Sequence, residues 1–210
     1  GCGSEFGAGT SFLDIEGDGD LDLYVGHYLQ FTYERHAELA ATAYPYPPGP
    51  QDYPRVADSL LRNNGDGTFT DVAPVLNVGR PFDSFPTWFW DLNNDGHLDL
   101  YVASYDFGVD QIAAEYAGLP PTSQPDCLYL NDGEGGFREV SKEYGLTRTT
   151  LPMGCNFGDL DNDGDLDLVI NNIDEAAFLY RNNSVERELG NFLKVVTNGL
   201  TSEPFAKVHI

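Results

Sequence analysis

The sequence predicts an all-β chain of about three four-stranded antiparallel units in tandem, each with an acidic loop between its first two strands and with short helical inserts. Three observations carry this. A nine-residue acidic loop occurs three times, as Asp14 to Asp22, Asp91 to Asp99 and Asp159 to Asp167. A second signature, an apolar strand running into an Asn/Asp/Gly cluster, is phased against it: Ser59-Leu-Leu-Arg-Asn-Asn-Gly-Asp-Gly-Thr-Phe-Thr-Asp71 is echoed by Cys127-Leu-Tyr-Leu-Asn-Asp-Gly-Glu-Gly-Gly-Phe-Arg-Glu139. The first aspartates of the loops lie 77 and then 68 residues apart, so the repeat is regular. A four-stranded unit repeated in tandem is the mark of a propeller blade.

The loops come first because they carry the chemistry. Each copy has oxygen-bearing side chains at positions 1, 3 and 5 and glycine at 6. That order lets a short loop curl until several oxygens converge, the arrangement a hard cation such as calcium prefers. An EF-hand starts the same way but needs a bidentate Glu at position 12 and flanking helices. Position 12 is here Val25, Val102 or Ile170. Position 9 is instead always aspartate, followed by Leu23-Tyr-Val25, Leu100-Tyr-Val102 or Leu168-Val-Ile170, so each loop closes early and opens into a strand.

In chain order, the units span 1–75, 76–145 and 146–210, the last including the start of a C-terminal region. For the second unit the expected strands are Thr87 to Trp90, Leu98 to Ser104, Cys127 to Leu130 and Gly136 to Val140. In the third, Phe178-Leu-Tyr-Arg-Asn-Asn183 leads towards Asn191-Phe-Leu-Lys-Val-Val-Thr197. Inserts at about 29–57 and 105–125 separate strands two and three. The first holds a helix over Thr32 to Ala43 and then a proline-rich run, Tyr44 to Pro50, which cannot be helical. The second holds a helical stretch, Val109 to Tyr116, ended by Pro120-Pro121. In an antiparallel meander the loops between strands one and two share a face with the turns between three and four. The inserts should therefore lie on the opposite face from the acidic loops. Closed propellers have about four to eight blades. The chain is thus expected to be an internal fragment of a larger propeller, with edges that the remaining blades of the parent would cover.

Composition sharpens the functional expectation. Eleven basic residues against 34 acidic give a net charge of −23, which argues against nucleic acid or an anionic membrane as partner. The three loops hold thirteen of those acids, a self-repelling density without a counter-ion. No apolar run reaches the roughly 18 residues of a membrane span. Cys2, Cys127 and Cys155 form no CxxC and no dense pattern, so neither a disulfide framework nor a zinc site is indicated, and one bridge is left open. No signal peptide is present within these residues, and because the chain opens on Gly1 rather than Met, any such segment is expected upstream of them.

These residues resemble a known family. The loops match the calcium loops of FG-GAP or VCBS repeats, as in integrin-type β-propellers, and Phe157-Gly-Asp-Leu-Asp-Asn-Asp-Gly-Asp-Leu-Asp167 is especially similar. More narrowly, Leu61-Arg-Asn-Asn-Gly-Asp-Gly-Thr-Phe69, and Leu179-Tyr-Arg-Asn-Asn183 before Asn191-Phe-Leu-Lys-Val195, resemble the cartilage acidic protein type, whose propeller precedes an ASPIC/UnbV domain. The resemblance implies a seven-bladed propeller, secreted or at the cell surface, with calcium in its blade loops and roles in adhesion or ligand binding. Carried over residue by residue, it implies up to three Ca²⁺ sites. The first would use Asp14, Glu16, Asp18, the carbonyl of Asp20, and Asp22. The second would use Asp91, Asn93, Asp95, the carbonyl of His97, and Asp99. The third would use Asp159, Asp161, Asp163, the carbonyl of Asp165, and Asp167. The side chains of Asp20 and Asp165 would point outward. Glu16 departs from the usual Asp or Asn and would reshape its site.

The expected function is binding of a protein or glycan by a calcium-rigidified module. Tyr28, Phe31, Tyr33, Tyr44, Tyr46 and Tyr53 cluster in and beside the first insert and are its candidate contact surface, the alternative being that they pack the insert onto its own unit. Trp88 and Trp90 read as strand core. His27, His36 and His209 share no metal-like spacing. Asn182-Asn-Ser184 fits a glycosylation sequon. The alternative function is a carbohydrate-active propeller enzyme with its catalytic residues largely elsewhere, since the sequence holds no G-x-S-x-G, HExxH or phosphate-cradling glycine loop.

Overall fold

The alternation of loops and apolar runs folds into three antiparallel sheets stacked side by side. The computed structural model describes residues 3–42, 47–106, 113–114, 117–119, 123–173 and 176–189. The first sheet is β1 (Glu5–Leu13), β2 (Asp22–Gln30), β3 (Ser59–Asn63) and β4 (Phe69–Asp71), in that spatial order. The second repeats it with β5 (Ser84–Trp90), β6 (Asp99–Ser104), β7 (Cys127–Asn131) and β8 (Phe137–Glu139). The third contains β9 (Pro152–Gly158), β10 (Asp167–Asn172) and β11 (Phe178–Tyr180). Its expected fourth strand, over Asn191 to Thr197, lies outside the described residues, as do Cys2, Tyr44, Tyr46, His209, Pro120-Pro121 and most of the helix expected over 109–116.

Helix α1 (Tyr33–Thr42) occupies the first insert, where Thr32 caps it by accepting the Arg35 amide at 3.1 Å. A second, one-turn helix, α2 (Ala73–Leu76), follows β4. Register puts the loops and inserts at opposite ends, as the meander requires. Leu13 pairs with Asp22 beside the first acidic loop, whereas Glu5 pairs with Gln30 at the insert end.

The core sits between sheets rather than within one. All six residues of β6 are buried because both of its faces are covered. Successive strand residues point to opposite faces. Leu100 and Val102 accordingly join Leu13, Tyr24, Leu60 and Val78 on the side of the first sheet. Tyr101 and Ala103 join Trp90, Leu128, Leu168 and Ile170 on the side of the third. Strand β5 lies between β1 and β9. Glycine at position 9 permits this approach, since a Cβ there would stand 2.3 Å from the Phe85 carbonyl oxygen. The end sheets leave Phe6, Phe12, Met153 and Leu179 exposed.

Trp90 is core, stacked on Phe157 at 5.4 Å between ring centroids. Trp88 is not. It lies two residues away on the same face of β5 and meets Phe157 edge-on, yet it stays 38% exposed. Cys127 and Cys155 are free thiols, and burial pushes both up, Cys127 to about 12.

Candidate metal centres

Each acidic loop is held by its own carboxylates. Asp14 Oδ1 accepts the amides of Gly17 and Asp18 at 2.7 and 3.1 Å, and its Oδ2 accepts that of Gly19 at 2.9 Å. Asp91 does the same for Asp95 and Gly96, at 3.0 and 2.9 Å. At position 5, Asp18, Asp95 and Asp163 accept the amides of Asp20, His97 and Asp165 at 2.9, 2.9 and 3.0 Å. Glycine is needed at position 6, where φ is +91°, +93° and +99° in Gly19, Gly96 and Gly164. The curl the sequence predicted is present in all three copies.

Position 9 has a second task that sequence reasoning missed. Asp22, Asp99 and Asp167 are buried, and in each the Oδ2 accepts the amide of loop position 2 (Ile15, Leu92, Leu160) at 2.8–3.0 Å. The Oδ1 accepts the amide of an asparagine that ends the third strand of its sheet or lies just beyond it: Asn63 at 2.8 Å, Asn131 at 2.9 Å and Asn182 at 2.9 Å. Those asparagines donate back to the carbonyls of Leu21, Leu98 and Leu166. Loop and hairpin are thereby tied into one unit three times over. Burial pushes the Asp99 carboxyl up to about 7 against the pull of the Asn131 and Leu92 amides. The threefold Asn in the hairpin signature was the available signal.

At position 7 the three copies diverge. Asp20 is exposed, as expected, and lies over the hairpin at Gly65. His97 is exposed and lies over Gly133. Asp165 does not point outward: it is 0% exposed. Its Oδ1 accepts from Asn94 Nδ2 of the neighbouring loop at 2.9 Å and its Oδ2 from the Val185 amide at 2.8 Å. These two donors, far away in sequence, turn it inward.

The third loop is the best formed for a cation. Asp159, Asp161 and Asp163 each place one carboxylate oxygen within 4.8 Å of the others. Oxygens bound to calcium at about 2.3–2.6 Å stand no farther apart than about 5 Å, so the donor set fits that ion. In the second loop Asn93 donates to Asp95 Oδ2 at 2.8 Å, and in the first Glu16 is half drawn towards Arg62 at 3.9 Å.

A further pair of carboxylates, Asp58 and Asp126, was also missed. Asp58 accepts from Tyr24 Oη at 2.8 Å, the His27 amide at 2.7 Å and Ser84 Oγ at 2.6 Å, the last from the next sheet. Asp126 repeats this with Tyr101 Oη at 2.7 Å, the Ser104 amide at 2.9 Å and Thr150 Oγ1 at 2.9 Å. Burial pushes them up to about 7 and about 6. In the third sheet Val169 pairs with Leu179 as Tyr24 pairs with Leu60, which puts Ala177 where Asp58 stands. Tyrosine and aspartate are lost together, as a hydrogen-bonded pair should be.

The first insert's aromatics form two groups. Phe31 packs on Tyr33, His36 and Tyr53 at 5.4–5.8 Å, with His36 Nδ1 and Tyr53 Oη 2.5 Å apart. Tyr33 remains 82% exposed. Tyr28 instead packs on Phe85 and Tyr105 between the first two sheets. His27 is buried with Nε2 3.3 Å from Ser59 Oγ, and desolvation lowers its pKa. The sequon asparagine, Asn182, uses its Nδ2 to donate to Leu92 O at 2.7 Å, and Ser184 is buried, so the folded chain withholds this acceptor.

The FG-GAP-like repeat family matches residues 46–102 and 110–170, together more than half of the chain. The chain belongs to the FG-GAP-like repeat family. Each matched FG-GAP-like segment starts before the strand-three hairpin of one sheet and ends in the second strand of the next, so the sequence repeat straddles two sheets and includes the second or third acidic loop. No curated protein matches the chain. Repeats of this family occur in integrin-type β-propeller modules.

Proposed function

We propose that the chain is part of a calcium-stabilised β-propeller working outside the cell, whose task is to bind a protein or a glycan. The observation that carries the reading is the convergence of the Asp159, Asp161 and Asp163 oxygens in a loop that recurs in register in every sheet. Calcium would be held by the carboxylates of positions 1, 3, 5 and 9, with Asn93 at position 3 of the second loop, and by the carbonyls of Asp20, His97 and Asp165. When bound, it supplies the positive charge that lets the clustered acids coexist. The rest of the work falls to the chain: position 9 ties each loop to its hairpin, and Asp58 and Asp126 tie each sheet to the next.

The exposed apolar side chains of the end sheets support a ring in which further sheets flank these three. Among the described residues no helix is long and apolar enough to cross a membrane. The surface offered to a partner is the first insert, where Tyr33 stands out from a preformed aromatic group on the end opposite the acidic loops.

Two arms of one experiment test this on the full-length parent. Calcium titration should show saturable binding, with one equivalent lost in Asp163→Ala. Arrays of glycans and extracellular proteins, probed in calcium and in EGTA, should give a calcium-dependent signal reduced by Tyr33→Ala. Absence of calcium binding would remove the first half of the reading, and a Tyr33-independent partner would remove the second.

A further inference from the structure

Position 3 of the three loops differs in charge: Glu16, Asn93 and Asp161. The residue one before the clamping asparagine, in or just after the third strand of each sheet, differs in step with it: Arg62, Leu130 and Arg181. Where position 3 is an acid, that residue is an arginine. Where position 3 is neutral, it is leucine. The contacts explain the match. Arg181 Nε lies 2.6 Å from Asp161 Oδ2, and its terminal nitrogen lies 3.0 Å from Asp163 Oδ2 and 2.6 Å from Glu186 Oε1. Arg62 Nε lies 3.9 Å from Glu16 Oε1. Strand register produces this, because Arg181 and Arg62 precede asparagines whose amides are fastened to Asp167 and Asp22 at the mouths of the loops.

The geometry points to Arg62 and Arg181 as built-in counter-ions that hold the position-3 carboxylate of the first and third loops and must release it when calcium enters. The inference rests on the calcium reading above. In the third loop the guanidinium holds two of the three converging carboxylates, so ion and arginine compete for the same groups. A divalent ion beside a guanidinium is also repelled by it, an effect moderated here because Arg181 is 54% exposed and salt screens it. The consequence is a levelling of charge: the five-acid loops each carry an arginine, and the three-acid loop carries none. Five carboxylates without such a partner would bind calcium more tightly and would repel one another more strongly when empty.

Arg181→Gln tests this, with Arg62→Gln as a second, weaker case and Asp163→Ala in both backgrounds to assign the site. Removing the guanidinium should tighten the third site by up to about fivefold, the scale expected of an exposed charge pair. The melting temperature in EGTA should fall while the rise on adding calcium grows. A merely structural arginine would lower stability in both conditions and leave the affinity unchanged or weaker, and that result overturns the inference while calcium binding itself stands. If neither the natural chain nor Arg181→Gln binds calcium, the calcium reading fails and takes this inference with it.

Discussion

Asp126→Ala is expected to destabilise the chain by about 3–5 kcal/mol, because it strands the hydroxyl of Tyr101, the amide of Ser104 and the hydroxyl of Thr150 in a buried site. Against a typical net stability of about 5–15 kcal/mol this is a large fraction. Urea unfolding measures it. The loss should be the same with and without calcium, since among the described residues the hydrogen-bond partners of Asp126 are Tyr101, Ser104 and Thr150, none of them in an acidic loop. Asp126→Asn should cost much less, because both hydroxyls can rotate to accept from the new amide. The same carboxylates set a pH dependence. In the folded state Asp58 and Asp126 hold their protons up to about 7 and about 6, whereas an unfolded aspartate releases its proton near 3.8. Between those values the folded chain binds more protons, so their contribution is fully present below about pH 4 and is lost as pH rises to about 7. In EGTA the urea midpoint should therefore be higher at pH 5 than at pH 8. The double variant Asp58→Asn with Asp126→Asn should flatten the profile, and an unaltered slope would contradict the assignment.

Asp99→Ala and Asp18→Ala separate the two tasks of the acidic loops. Asp99 is 0% exposed and satisfies the amides of Leu92 and Asn131, so its loss should cost about 2–4 kcal/mol even in EGTA. Asp18 is exposed, and among the described residues its carboxylate accepts only the Asp20 amide. Its replacement should be near neutral in EGTA and should cost stability only when calcium is present. Equal behaviour of the two variants in EGTA would show that position 9 is not a clamp.

The in-register loops and hairpins made the strand order and the opposition of loops and insert legible in the sequence, because loop curl, hairpin turn and strand alternation are all local properties. Strands β5 to β8 fall within a few residues of the positions expected for the second unit. What could not be read was whatever depends on the neighbouring sheet. Asp58 and Asp126 look like ordinary polar residues before a strand, and only Ser84 and Thr150, arriving from the next sheet, close a buried site around them. Asp165 was assigned outward from its loop position, yet Asn94 lies 71 residues away and reaches it. Trp88 is expected in the core with Trp90, and it does share that face of β5 and the Phe157 ring, but how far the third sheet covers the face is not a local property, and Trp88 stays 38% exposed. One signal was present and unread: Tyr24 with Asp58 and Tyr101 with Asp126, against Val169 with Ala177.

On the proposed reading, calcium holds these sheets in their folded form. Extracellular calcium modules bind at about 10⁻⁴ to 10⁻³ M, so at ten times the dissociation constant each site adds about 1.4 kcal/mol and three sites about 4. Thermal melting of the chain in calcium and in EGTA, with magnesium as control, reads this directly. A fall of about 10 °C on chelation is the expected result, and a midpoint unmoved by EGTA would contradict the account.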